Sequence, residues 1–164
     1  MKKTPLLLVT LAFAAAMSAC KAERRATEPK KLSAELDKTA HITLNGREYT
    51  AHLRRGGDGI WECAFSEPEC LAGLTMTCDP EGSRMAYEGL EYYISPENMP
   101  EYGLMPLLTS ALDDVAEGRD ISCTEAEGCI RETGQAAGQS FTAEVKDGGI
   151  VSLEIAGVLS AEFE

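Results

Sequence analysis

Beyond residue 40, apolar and polar positions alternate with a period of two along most of the chain, the pattern of strands buried on one face. Ile42 and Leu44 alternate with polar neighbours up to Asn45-Gly46, a pair that favours a two-residue hairpin turn. The return segment, residues 47–54, sets Tyr49, Ala51 and Leu53 on one side. A two-residue turn pairs Leu44 with Arg47 and Ile42 with Tyr49, so the turn and the alternation agree on one register. The same plan continues through Trp61, Cys63 and Phe65, then Leu74, Met76 and Cys78, then Met85 and Tyr87, then Leu90, Tyr92 and Ile94. Turn-forming runs separate these segments at Gly56-Gly57-Asp58-Gly59 and Asp79-Pro80-Glu81-Gly82.

The period changes after a proline-rich stretch between Pro96 and Pro106. Leu107, Leu108, Ala111, Leu112 and Val115 recur at helical spacing, with Pro106 suited to the first turn and Gly118 to the end. A second, smaller helix is predicted after Thr27, with Leu32 and Leu36 on one face. Short strands resume near residues 121–123 and 129–131. A last hairpin then pairs Phe141, Ala143 and Val145 with Val151, Leu153 and Ile155 across Asp147-Gly148-Gly149. Odd positions from 151 to 163 are all apolar or glycine, which predicts one long strand bent at Gly157.

About nine or ten one-sided strands with only one or two short helices to cover them define an α+β, mainly β, fold. Such a sheet must curl around its own apolar face as a half-barrel, with the helices on the concave side.

The N-terminus follows a different logic. Lys2 and Lys3 precede an apolar run from Leu6 to Ala16, and Met17-Ser18-Ala19-Cys20 closes it. The run is far shorter than the ~20 residues that span a bilayer. It reads as a secretory signal ending in a lipobox, whose cysteine is lipidated and becomes the mature N-terminus. The predicted organisation is a signal peptide over residues 1–19, lipidated Cys20 with a tether over 20–30, and one curled-sheet domain over 31–164. The predicted location is the bacterial cell envelope, on the outer face of the cytoplasmic membrane or on an outer membrane where one exists.

Charge sharpens this picture. The chain carries a formal net charge of −12, unevenly distributed. Residues 21–55 hold nine Lys/Arg against five Asp/Glu, whereas residues 56–164 hold four against 22. A basic segment beside the anchor can sit on anionic headgroups that repel the acidic remainder. Nucleic acid is excluded as a partner for lack of a basic footprint. Export also permits disulfides. Cys123 and Cys129 flank a short turn-like segment and are the best-placed pair; Cys63 and Cys78 come next.

In the order lipobox, short helix, strands, helical crossing, more strands, the chain resembles the lipoprotein-carrier half-barrels of bacterial envelopes. Residues 42–163 also resemble a group of lipid-anchored bacterial lipoproteins without an assigned activity. The stretches that carry this likeness are Ile60-Trp61-Glu62-Cys63-Ala64-Phe65, Leu71-Ala72-Gly73-Leu74-Thr75 and Leu153-Glu154-Ile155-Ala156-Gly157. The first resemblance implies a sheet that holds a lipid or a lipid anchor.

The residues offer little chemistry of their own. His41 and His52 are diagonal neighbours on the polar face, with no third ligand at metal-site spacing. No Gly-x-Ser-x-Gly motif or phosphate-cradling loop occurs, and the paired carboxylates read as a solvated face. The expectation is therefore a binding module without enzymatic activity, cofactor or metal. It is tethered to the membrane through Cys20 and engages a hydrophobic ligand such as a lipid or lipid-anchored partner. The predicted lining is Tyr49, Trp61, Phe65, Met76, Tyr87 and Tyr92, with Leu108 and Leu112 from the helix. The alternative is a protein–protein interaction subunit of an envelope assembly, using a sheet edge or the acidic face, with no ligand cavity.

Overall fold

The computed structural model describes residues 25–28, 35–126 and 128–164. They form one open antiparallel sheet of twelve strands and a single α-helix. A first strand, β1 (Arg25–Thr27), lies within the segment predicted to be tether. Then come β2 (Leu36–Leu44), β3 (Arg47–Arg55), β4 (Trp61–Glu67), β5 (Thr75–Asp79), β6 (Gly82–Tyr87) and β7 (Leu90–Ile94). The helix α1 (Leu104–Glu117) carries the chain across to β8 (Ser122–Ala126) and β9 (Cys129–Ala136). Three strands complete the fold: β10 (Gln139–Lys146), β11 (Gly149–Ile155) and β12 (Leu159–Phe163).

The strand order is β1-β8-β9-β10-β11-β12-β2-β3-β4-β5-β6-β7, so two meanders join where β12 pairs with β2 and the edges are β1 and β7. Twelve strands replace the predicted nine or ten. Leu36 opens β2 instead of closing a helix, and residues 29–34 of that predicted helix lie outside the described residues. The first hairpin has the predicted register, Leu44 opposite Arg47 and Ile42 opposite Tyr49.

The C-terminal half departs from expectation twice. Asp147-Gly148 alone makes the turn, and a bulge between Glu144 and Val145 sets Val145 opposite Ile150 rather than Val151. The predicted bent strand is two strands. The chain reverses over residues 156–158, with Gly157 at φ +68°, and Ile155 pairs with Leu159. Residues opposed across a hairpin share a face, so a three-residue turn leaves odd positions pointing inward on both sides of the reversal.

The inner faces of β2–β5 and β9–β12 share one buried core with α1. Met105, Leu107, Leu108, Ala111, Leu112 and Val115 are all buried. Ala40, Ala51, Ala136, Ala143 and Ala161 are buried in the same core, and among the strands α1 approaches β9 most closely. Gly118 ends α1 at φ +66°, a left-handed conformation that suits glycine.

Candidate functional site

Hydrogen-bond register organises the inner face of β4–β7 into rows running across the strands. One row reads Cys63, Met76, Met85, Tyr92, and its neighbour reads Trp61, Cys78, Ser83, Ile94. Along the first, burial fades strand by strand. Cys63 is fully buried, Met76 and Met85 are half-buried, and Tyr92 is 65% exposed. Beside it, Tyr87 pairs with Leu90, which is 75% exposed. The core reaches β5 and, through buried Ser83, the start of β6, whereas the part of the inner face formed by Met85, Tyr87, Leu90 and Tyr92 passes from half-buried to exposed.

The predicted lining therefore divides. Trp61, Phe65, Leu108 and Leu112 are buried side chains of the core, and of these Trp61 and Leu112 also line a small pocket at its end. Tyr49 and Met76 pack against that core partly buried, and the Tyr49 ring meets Phe65 edge-on with centroids 6.2 Å apart. Tyr87 and Tyr92 stand on the uncovered apron, joined there by Leu90 and Met85. Tyr93, on the opposite face, donates its hydroxyl proton to the Glu81 carbonyl and lies over the β5–β6 turn. Gly82 makes that packing possible, since a Cβ there would come within 2.5 Å of the Ile94 carbonyl oxygen.

At one end of the core, α1 is latched to the sheet. Asp113 Oδ1 accepts from Arg55 Nε at 2.8 Å and from Trp61 Nε1 at 3.1 Å, while Glu117 lies 3.5 Å from Arg55 Nη2. The Arg55 guanidinium also sits 5.9 Å from the Trp61 ring centroid. Beside this latch opens a pocket of about 220 Å³ lined by Leu36, Trp61, Leu112, Ala116 and Ile150. Sites for drug-sized ligands run from roughly 300 Å³ upward, so this opening is small for a lipid.

The remaining predicted groups lie apart from the apron. Cys123 stands opposite Glu132 and Cys129 opposite Ala126, so the register separates the predicted pair by three positions along β9. Both are free thiols. Cys63 and Cys78 are diagonal neighbours on one face, also free. Burial, helped by Cys78, pushes the Cys63 thiol up to about 12, and burial beside Glu132 pushes Cys123 up to about 11. His41 and His52 occupy the predicted outer-face positions. Thr50 Oγ1 lies 3.3 Å from His41 Nδ1, and Asp37 Oδ1 lies 2.9 Å from His52 Nε2. Among the described residues no His, Cys, Asp or Glu group has the arrangement of a metal site, and no helix is long and apolar enough to cross a membrane. Cys20 lies outside the described residues.

Two features escaped the sequence reading. Leu90 belongs to the predicted inward row, and its exposure comes from the strand order, which leaves β7 at the sheet edge and has no local signature. The Arg55–Asp113–Trp61 latch spans more than 50 residues and has no local signature. No protein-family model matches the chain, and no match to a curated protein reaches significance.

Proposed function

We propose that this chain is a membrane-tethered envelope lipoprotein whose curled sheet, a half-barrel filled by its own helix, serves as a binding module. Its binding surface is the uncovered inner face of β5–β7, and its ligand is hydrophobic. The observation that carries this reading is the row Cys63, Met76, Met85, Tyr92, in which one continuous apolar face passes from full burial to 65% exposure. An exposed apolar strip continuous with a core is a recurrent mark of binding surfaces. Lipidation at Cys20 would hold the domain at the membrane, where hydrophobic ligands and lipid-anchored partners are concentrated.

The filled concavity shapes the proposal. A lipid held deep in the sheet would have to displace Leu108 and Leu112, each contributing about 1.5–3 kcal/mol by its burial. A ligand seated on Met85, Tyr87, Leu90 and Tyr92 displaces nothing. Native mass spectrometry of the chain extracted from producing cells tests this directly. A ligand adduct on the wild type that is missing from Leu90→Glu/Tyr92→Glu supports the apron as the site. An adduct retained by that variant places the ligand elsewhere and overturns the assignment.

A further inference from the structure

We infer that the free edge of β7 accepts an added strand from another polypeptide, one whose residues alternate between apolar and basic. The inference rests on the reading that the β5–β7 apron is the binding surface, and it names the partner's chemistry.

The edge itself is the first observation. β7 ends the strand order, and among the described residues no backbone group pairs with its outer side. Exposed edges are normally protected by brevity, proline, lysine or a bulge. The opposite edge, β1, has three residues, whereas β7 has five, Leu90-Glu91-Tyr92-Tyr93-Ile94. It contains no proline or lysine, and its pairing with β6 runs without a register shift. Its aromatic and β-branched residues favour extended backbone.

Register then specifies the partner. Leu90, Tyr92 and Ile94 point to the inner face, so an added strand would lay its own inner side chains beside them and extend the apolar rows. Glu91 and Tyr93 point outward, and Glu88 lies in the adjoining turn. Glu97 and Glu101 follow directly, and no Lys or Arg occurs between Arg84 and Arg119. Arg84 lies opposite Tyr93 on β6, one strand back from the edge. Outward side chains of the incoming strand would therefore run beside Glu91, with Glu88 in the adjoining turn, and lysine or arginine complements these carboxylates. The same charge argues against other occupants. A second copy would bring together two chains of net charge −12 each, and anionic headgroups would repel the apron.

The test uses the full chain and three blocked nonapeptides: one alternating valine with lysine, one alternating valine with glutamate, and the lysine peptide N-methylated along one edge. The inference predicts saturable binding of the lysine peptide, with hydrogen-exchange protection of β7. The glutamate and N-methylated peptides should bind about tenfold more weakly or worse. Glu91→Lys, an exposed position, should narrow the preference for the lysine peptide severalfold. Equal binding of the methylated and unmethylated peptides, or binding without protection of β7, overturns strand addition. So does protection of β7 by self-association or by phosphatidylglycerol vesicles in the absence of peptide. If the peptides fail while an adduct still depends on Leu90 and Tyr92, only the strand proposal falls and the hydrophobic surface stands.

Discussion

Replacing Asp113 with alanine isolates the latch that holds α1 against the sheet. The change removes the acceptor at 2.8 Å from Arg55 Nε and 3.1 Å from Trp61 Nε1. The Arg55 side chain is only 10% exposed and keeps Glu117 as a partner at 3.5 Å. The Trp61 N–H, on a residue 3% exposed, loses the acceptor that Asp113 provides. Leaving a buried donor unsatisfied costs about 1–3 kcal/mol, and weakening a largely buried ion pair adds to that. The combined expectation is a loss of about 2–4 kcal/mol, or a Tm lowered by about 6–14 °C for a domain of this size. Glu117→Ala is the internal control. Its carboxylate is 45% exposed, which limits its contribution to about 0–1 kcal/mol. Urea denaturation of both variants, with thermal melts in parallel, reads the difference. A loss below about 0.5 kcal/mol for Asp113→Ala, or equal losses in the two variants, would refute the latch.

Other consequences follow from the same geometry. Leu108→Ala, at a fully buried position on α1, should cost about 2–5 kcal/mol in denaturant unfolding, through lost burial and the cavity left behind. Gly157→Ala meets open space at φ +68° and should cost about 1–2 kcal/mol in the same assay. Gly82→Ala at φ +147° also strikes the Ile94 carbonyl and should cost more, with faster hydrogen exchange across β6–β7; equal losses would contradict the packing described. Cys63 is raised from 9.0 to about 12, so its neutral form is stabilised by folding, fully below pH 9 and progressively less as pH rises towards 12. Stability should therefore decline across that window, and less steeply in Cys63→Ala. Thiol labelling of the folded chain near pH 8 should modify exposed Cys70 first and spare buried Cys63, Cys78 and Cys123 until unfolding.

Legibility tracked how local each determinant is. The Asn45-Gly46 hairpin could be read with its register because turn chemistry and alternation specify the same pairing. The stripe of α1 and its stop at Gly118 were equally plain, since residues a few positions apart carry both. Other turns were opaque. Glu88 and Ala137 adopt positive φ although neither residue type favours it, leaving only the following glycine as a signal. At residues 156–158 the alternation itself misled, because a reversal over an odd number of residues preserves parity. Nothing local announces the bulge at Glu144–Val145 or the pairing of Arg25–Thr27 with β8, which joins segments about 100 residues apart. For the site, alternation identified the inner-facing side chains correctly and could not say where the helix ends its cover. Tyr92 and Trp61 obey the same period, and only the strand order places one in the core and the other near the edge.

The most direct test of the central claim is a titration of the chain with a neutral solvatochromic dye such as Nile red. Wild type is compared with Leu90→Glu/Tyr92→Glu and with Ser160→Glu, an exposed position on β12 well removed from β7 in the strand order. The account predicts saturable, blue-shifted binding to wild type and Ser160→Glu, and an affinity lower by about tenfold or more in the apron variant with its Tm unchanged. Equal binding by all three chains would contradict it.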